Sequence, residues 1–281
     1  MNEKLAIIMS GGGMRASFNV GVILSLIEKY KITEPFLLIC ASGSAGTGSY
    51  YISKQYDSIR NIWTNLLSSK NFLNPWRFWK IIDIDYLIDM VFKKQDPLDE
   101  NKVYESKTKY LITALNKKTG KIDYFNNHDN MNVFESMRAS KAMPIAFKLN
   151  PNVAINDSNY CDSMIPERAK MYTKKAIELG AEKILLIDNL CNNKKYNYEN
   201  FFFSLWMFFQ KCKKPYYKTK KELSNYKIPQ NIKTFAISPK SKIKIGTLNN
   251  KKELLIEAIE QGYKETTLNN ELKVFLNKNH D

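Results

Sequence analysis

Histidine is almost absent from this 281-residue sequence, which contains only His128 and His280. Chemistry that needs a buried imidazole has little to draw on. The first histidine sits in the polar run "NNHDN", and the second lies beside the C-terminus, where chains fray. Cysteine is sparse as well. Cys40, Cys161, Cys191 and Cys212 form no Cys-x-x-Cys pair, which argues against a zinc site and a disulfide framework. Reduced thiols fit a cytoplasmic protein. Arginine occurs only at Arg15, Arg60, Arg77, Arg138 and Arg168, so the bidentate forks that read phosphates and bases are scarce. Nucleic acid is not an expected partner. Long apolar runs are missing too: "FFFSLWMFF", from Phe201 to Phe209, falls well short of the roughly 20 residues that cross a bilayer. The N-terminal "MNEKLAIIMSGGG" runs directly into glycines instead of a signal-peptide cleavage site.

What is present is enough for a full core. The hydrophobic content is 44% and the length suits one large domain, spanning 1–281. Net charge is +15 and unevenly placed, with 18 lysines against 8 acids from Cys191 to Asp281. This basic C-terminal part, 191–281, is either an ordinary solvated surface or one that favours anionic partners. For "FFFSLWMFFQKCKKPYYKTKK" two readings stay open. One is peripheral contact with an anionic membrane, aromatics inward and lysines on headgroups; the other is a buried core or cap helix.

The order of elements points to an α/β class. "KLAIIMS" has the pattern of a buried strand, "GGGMRASFNVGVILSLIEKY" turns into a helix, and "PFLLICA" is a second buried strand before the turn "SGSAG" and another helix. That alternation implies a mostly parallel central sheet flanked by helices. Residues 58–121, rich in aromatics, are expected to form a helical cap or insertion. "VAINDSNYCDS" suggests two short strands around a polar turn. "IPERAKMYTKKAIELGAEKILLIDN" is a helix-strand unit, with a further strand in "NIKTFAISP" and one or two C-terminal helices.

The chemistry concentrates at the strand ends. Ser44, in "SGSAG", is flanked by small residues that permit a sharp strand-to-helix turn; it is either an exposed nucleophile or part of a structural bend. The run Gly11, Gly12 and Gly13 ends a strand and opens a helix, so its amides could converge on an oxyanion. The same stretch also fits a dinucleotide fingerprint, but no carboxylate closes the second strand to hold a ribose. With no suitable histidine, a carboxylate must act on serine directly. Asp162 is the best placed, its bland alternative being a turn or cap aspartate, and Asp157 is the natural control.

Taken together, "GGGMRASFNVGVI", "SGSAG", "ASKAMPIAF" and "YCDSMIPERAKMYTKKAIELGAEKILLI" resemble the patatin-like phospholipase family in order and spacing. The resemblance implies a three-layer fold and a serine acyl hydrolase of lipase, phospholipase A or esterase type. It implies a Ser-Asp dyad with Ser44 as nucleophile, Asp162 as base, and Gly11, Gly12 and Gly13 as oxyanion donors with Arg15 beside them. Neither metal nor organic cofactor is implied, and the expected partner is a lipid or acyl-ester substrate. Three departures from the family pattern, at Ala16, Ser42 and Ser163-Met164, motivate the alternative of a catalytically silent relative that binds lipid or protein.

Overall fold

The computed structural model describes residues 3–163, 168–191 and 204–276. At its centre are the apolar runs expected as strands: β1 (Leu5–Met9), β2 (Leu37–Ala41), β3 (Lys109–Asn116) and β7 (Lys183–Ile187) are buried almost throughout. Strands apolar on both faces need cover on both, and these have it. They run parallel with β8 (Lys233–Ile237) in the spatial order β3-β2-β1-β7-β8. Three antiparallel strands complete the sheet beyond β3: β4 (Ile122–Asn126), β5 (Val153–Ile155) and β6 (Ser158–Cys161).

One detail of register positions the site. β3 is longer than β2, which pairs with it only as far as Ala41 opposite Thr113. Past that point Leu115 and Asn116 pair with Cys161 and Tyr160 of β6, while β4 occupies the other side of β3. The end of β6 therefore meets the end of β2 on the same flank of β3. Asp162 and Ser42, 120 positions apart in the chain, are brought together by that overlap.

Side chains alternate cleanly between two cores. Ile7, Met9, Leu38, Cys40, Leu185 and Ile187 face one cluster, whereas Ala6, Ile8, Leu37, Ile39, Ile184 and Leu186 face the other. The first is covered by α1 (Ser17–Glu28), α2 (Gly43–Ile52), the helix Lys252–Thr267 and the cap. The second is covered by the segment around Ala169–Glu178 and by Trp206, Met207 and Tyr216. The result is an α/β fold in three layers.

The cap is shorter than the 58–121 expected from aromatic content. Its helices, Tyr56–Leu66 and Ile84–Gln95, each end in π-helical turns, Ile62–Leu66 and Leu87–Gln95. Residues 109–116 instead form an inner strand of the sheet, because "KYLITALN" is mostly apolar and β-prone, suited to burial on both faces. The two short strands around "NDSN", the strand ending at Ile187 and two C-terminal helices, Lys252–Thr267 and Asn270–Leu276, are present.

The α1 helix and Lys252–Thr267 touch backbone to backbone. A β-carbon on Gly21 would lie 1.9 Å from the Ile259 carbonyl oxygen, and one on Gly262 would lie 2.2 Å from that of Phe18. Neither obstacle is the tip of a flexible side chain, so the helices themselves must separate. Gly21→Ala is expected to destabilise the fold by about 2 kcal/mol or more. A chemical-denaturation midpoint equal to wild type would show that the two helices do not pack this closely.

Candidate active site

The chain leaves β2 at Ala41 and begins α2 at Gly43, so the whole reversal falls on Ser42. Its backbone sits at φ 46° and ψ −117°, a conformation that costs a non-glycine residue of order 1–3 kcal/mol. Neighbours hold it there. The Ser42 amide donates to Ser140 Oγ at 2.9 Å, and Lys141 Nζ donates to the carbonyl oxygens of Ser42 at 2.7 Å and Gly43 at 3.2 Å. The Ser42 hydroxyl donates to Asp162 Oδ2 at 2.5 Å.

Ser44, expected at this position, lies inside α2 and is fully buried. Its hydroxyl donates to the Ser10 carbonyl at 2.8 Å and accepts from Asn19 Nδ2 at 3.0 Å. Those bonds tie α2 to the end of β1 and to α1. The turn thus falls two residues earlier than "SGSAG" suggested. Read from the strand end, the elbow is Cys40-Ala41-Ser42-Gly43-Ser44, with both outer glycines of the G-x-S-x-G pattern replaced. Cys40 is no rival nucleophile, because burial pushes its thiol far up, away from the thiolate.

Asp162 follows β6 directly and is buried, its amide donating to the Ala142 carbonyl at 3.0 Å. The control residue Asp157 is exposed in the turn between β5 and β6. His128 is exposed with its Nε2 2.9 Å from the Ser106 carbonyl oxygen, and His280 lies outside the described residues. Ser163 is buried, its hydroxyl 3.3 Å from that of Tyr172, and it is not among the described residues with positive φ. Ala16 adopts ordinary helical angles. The side chains at these two departures are accommodated without left-handed backbone.

The glycine run is pressed against the elbow. A β-carbon on Gly43 would lie 2.6 Å from the Gly13 carbonyl oxygen, and one on Gly11 would lie 3.0 Å from Ser42 Cβ. Gly12 and Gly13 have φ of 127° and 57°, values that favour glycine. Within the following 3-10 turn the Arg15 amide donates to the Gly12 carbonyl and the Met14 amide donates to that of Thr247. The Gly12 and Gly13 amides head the turn, where no intrahelical acceptor exists. Arg15 itself is buried and does not line the cavity beside Ser42.

That cavity, of about 50 Å3, has a polar end formed by Gly13, Ser42, Gly43 and Lys141. Cap residues such as Trp63, Phe72, Ile82 and Phe92 make the rest of it apolar. Lys141 is the unexpected member. Desolvation lowers its amine from 10.5 to about 8, against the charge of Asp162, which favours the ammonium form. Asn189 was also unforeseen. It is buried just after β7, and its Nδ2 donates to the Gly11 carbonyl and to Ser10 Oγ, fixing the glycine run from below. Both lie within segments singled out in the sequence, "ASKAMPIAF" and "KILLIDN", yet a lysine and an asparagine there have no pattern that distinguishes support from surface.

The sequence matches the family profile described as patatin-like phospholipase over residues 7–165, more than half of the chain. This protein belongs to that family. Among solved structures, the crystal structure of VipD from Legionella pneumophila is similar in fold, with a TM-score of 0.55 at 12% identity. The match covers 94% of this chain and 66% of that one, so the present chain spans just under two thirds of the other's length. No curated protein matches the sequence.

Two consequences for stability can be measured. Ser44→Ala removes two buried hydrogen bonds while the Ser10 carbonyl and Asn19 Nδ2 stay bonded to each other at 3.0 Å, and is expected to cost about 1–2 kcal/mol in a denaturant titration. A neutral result would mean that water takes the place of the hydroxyl. For Lys141, the folded protein holds fewer protons than the unfolded chain between pH 8 and 10.5, so its contribution is full above that interval and fades as pH falls through about 8. The stability difference between wild type and Lys141→Met is therefore expected to shift in favour of wild type as pH rises through this interval. A pH-independent difference would contradict the lowered amine.

Proposed function

We propose that the protein is a serine acyl hydrolase acting on lipid acyl esters, with Ser42 as nucleophile and Asp162 as general base. The observation that carries this reading is the hydrogen bond from Ser42 Oγ to Asp162 Oδ2, made at a strained reversal that faces an apolar cavity. Family membership supports the reaction class.

In the reaction, Ser42 Oγ attacks the ester carbonyl as its proton passes to Asp162. The carbonyl oxygen becomes an oxyanion, for which the Gly12 and Gly13 amides are the fitting donors. Collapse breaks the ester C–O bond and returns the proton to the departing alcohol, leaving an acyl-serine. Water, deprotonated by Asp162, then releases the fatty acid and restores Ser42. The apolar cap residues suit the acyl chain, and the polar end with Lys141 sits at the reacting carbonyl. Among the described residues no helix is long and apolar enough to cross a membrane, so the enzyme would meet lipid peripherally. Its four free cysteines fit a cytoplasmic setting.

A fluorophosphonate probe is expected to label the wild-type protein and Ser44→Ala, and not Ser42→Ala. Asp162→Asn is expected to lower ester hydrolysis at least about 10³-fold while remaining folded, whereas exposed Asp157→Asn stays near wild type. Labelling that survives Ser42→Ala would sink the assignment. No labelling of any folded variant would return the protein to the silent, lipid-binding reading.

A further inference from the structure

The segment between the two cap helices presents opposite chemistry on its two sides. Its buried residues Phe72 and Ile82 form part of the cavity wall beside Ser42. Its outward residues are aromatic: Trp76 is 90% exposed, Phe78 78% and Trp79 66%. No other stretch of the described chain exposes two tryptophans, and exposed tryptophan in water is unfavourable unless something covers it.

This loop is built, not slack. Leu73 and Ile82 form an isolated antiparallel bridge, the Asn74 amide donates to the Ile81 carbonyl at 2.9 Å, and the Asp83 amide donates to that of Phe72 at 2.7 Å. Arg77 folds back across the inside, its Nε donating to the Lys80 carbonyl at 2.7 Å and its Nη2 to those of Asn71 and Phe72 at 3.2 Å. Phe78 and Trp79 meet edge to face at 5.0 Å. The backbone therefore holds the three rings outward. The Ile82 amide also joins the loop to the next segment through the Ala146 carbonyl, where Leu149 is 75% exposed beside Lys148.

Charge identifies the occupant. The acids near the loop base are engaged: Asp83 pairs with Lys80 and Arg77, and Asp85 with Lys80 and Arg138. The exposed charged residues of this segment and the one it joins, Lys70 and Lys148, are cationic, with Lys148 also 3.8 Å from Asp85. Exposed tryptophan and phenylalanine in a segment whose exposed charges are lysines suit the boundary between acyl chains and anionic headgroups, where an indole can be half apolar and half wet.

We propose that Trp76, Phe78 and Trp79 form a membrane-docking surface that inserts into the headgroup region of a lipid layer and brings the cavity wall of the cap against it. The proposal rests on the lipid-ester reading for its purpose, although not for its physics. It differs from the basic aromatic segment considered from sequence. There Trp206 and Met207 are buried in the core on the opposite face of the sheet, so docking through Phe208 and Phe209 would leave the cap and its cavity on the far side.

Flotation with vesicles of phosphatidylcholine containing roughly a fifth phosphatidylserine tests it, using a Ser42→Ala background so that no lipid is consumed. The parent is expected to float, with its tryptophan emission shifted to the blue. Trp76→Ser/Phe78→Ser/Trp79→Ser is expected to lose at least about tenfold in partitioning, and Phe208→Ser/Phe209→Ser to float like the parent. With Ser42 intact, the triple variant should still hydrolyse a soluble butyrate ester while losing activity on vesicle lipid. Equal partitioning of parent and triple variant, or loss only in the Phe208/Phe209 variant, overturns the proposal. So does a parent that stays in the aqueous fraction, an outcome that would assign the rings to a protein partner. Flotation is scored apart from hydrolysis: a protein that floats through this loop yet cleaves no ester upholds the docking surface and refutes the hydrolase reading.

Discussion

Everything at the site depends on one residue being held where its backbone would not rest by itself. Ser42 turns the chain from strand to helix at φ 46°, ψ −117°. The strain persists because the surroundings overdetermine it: Ser140 binds the amide, Lys141 binds the carbonyl, and Asp162 binds the hydroxyl. A relaxed turn would move all three contacts together. The constraint also reaches back to β1, because the Gly11–Gly13 run can approach Ser42 and Gly43 only while positions 11 and 43 lack side chains.

The electrostatics follow from this crowding. A carboxylate and an ammonium are both nearly buried here, and removing two such charges from water is costly unless each is compensated. Lys141 gives protons to two backbone carbonyls, and its charge and that of Asp162 favour one another. The ion pair offsets part of what burial costs each partner. In the proposed chemistry Asp162 is already hydrogen-bonded to the hydroxyl it would deprotonate, so little reorganisation remains. This is why a dyad without histidine is physically reasonable in this fold.

Much of this was legible in the sequence. The buried strands announced themselves as continuous apolar runs, and the glycine run and Asp162, picked out because clustered glycines and a carboxylate at a strand end are local signals, lie beside the elbow. The turn lies at Ser42, two residues before the Ser44 expected as nucleophile. In "CASGSAG" the surviving glycine at 46 draws the pattern toward Ser44, whereas the strand's own end at Ala41 places the turn on Ser42. The side chain at 42, read as a departure from a required glycine, is the reacting residue in the proposed chemistry. Lys141 and Asn189 escaped notice for a different reason. Their roles arise from register across the sheet and between layers, and nothing in their neighbouring residues encodes that.

The same two-faced sheet decides how the basic charge can act. Among the described residues the lysine-rich C-terminal part is divided between the two faces: the helix Lys213–Ser224 packs on one core through Tyr216, while Lys252–Thr267 packs on the other through Leu255 and Ile259. Charge spread over both faces gives attraction to an anionic surface without fixing which face arrives, and at physiological salt it acts only within about 8 Å. Orientation must come from something local and short-ranged. The rings at 76, 78 and 79 have that character, since apolar insertion is gained only on contact and only on the side of the sheet that carries Ser42. In the proposed docking, diffuse charge and a compact aromatic loop divide the work: the first brings the molecule near, and the second selects the face.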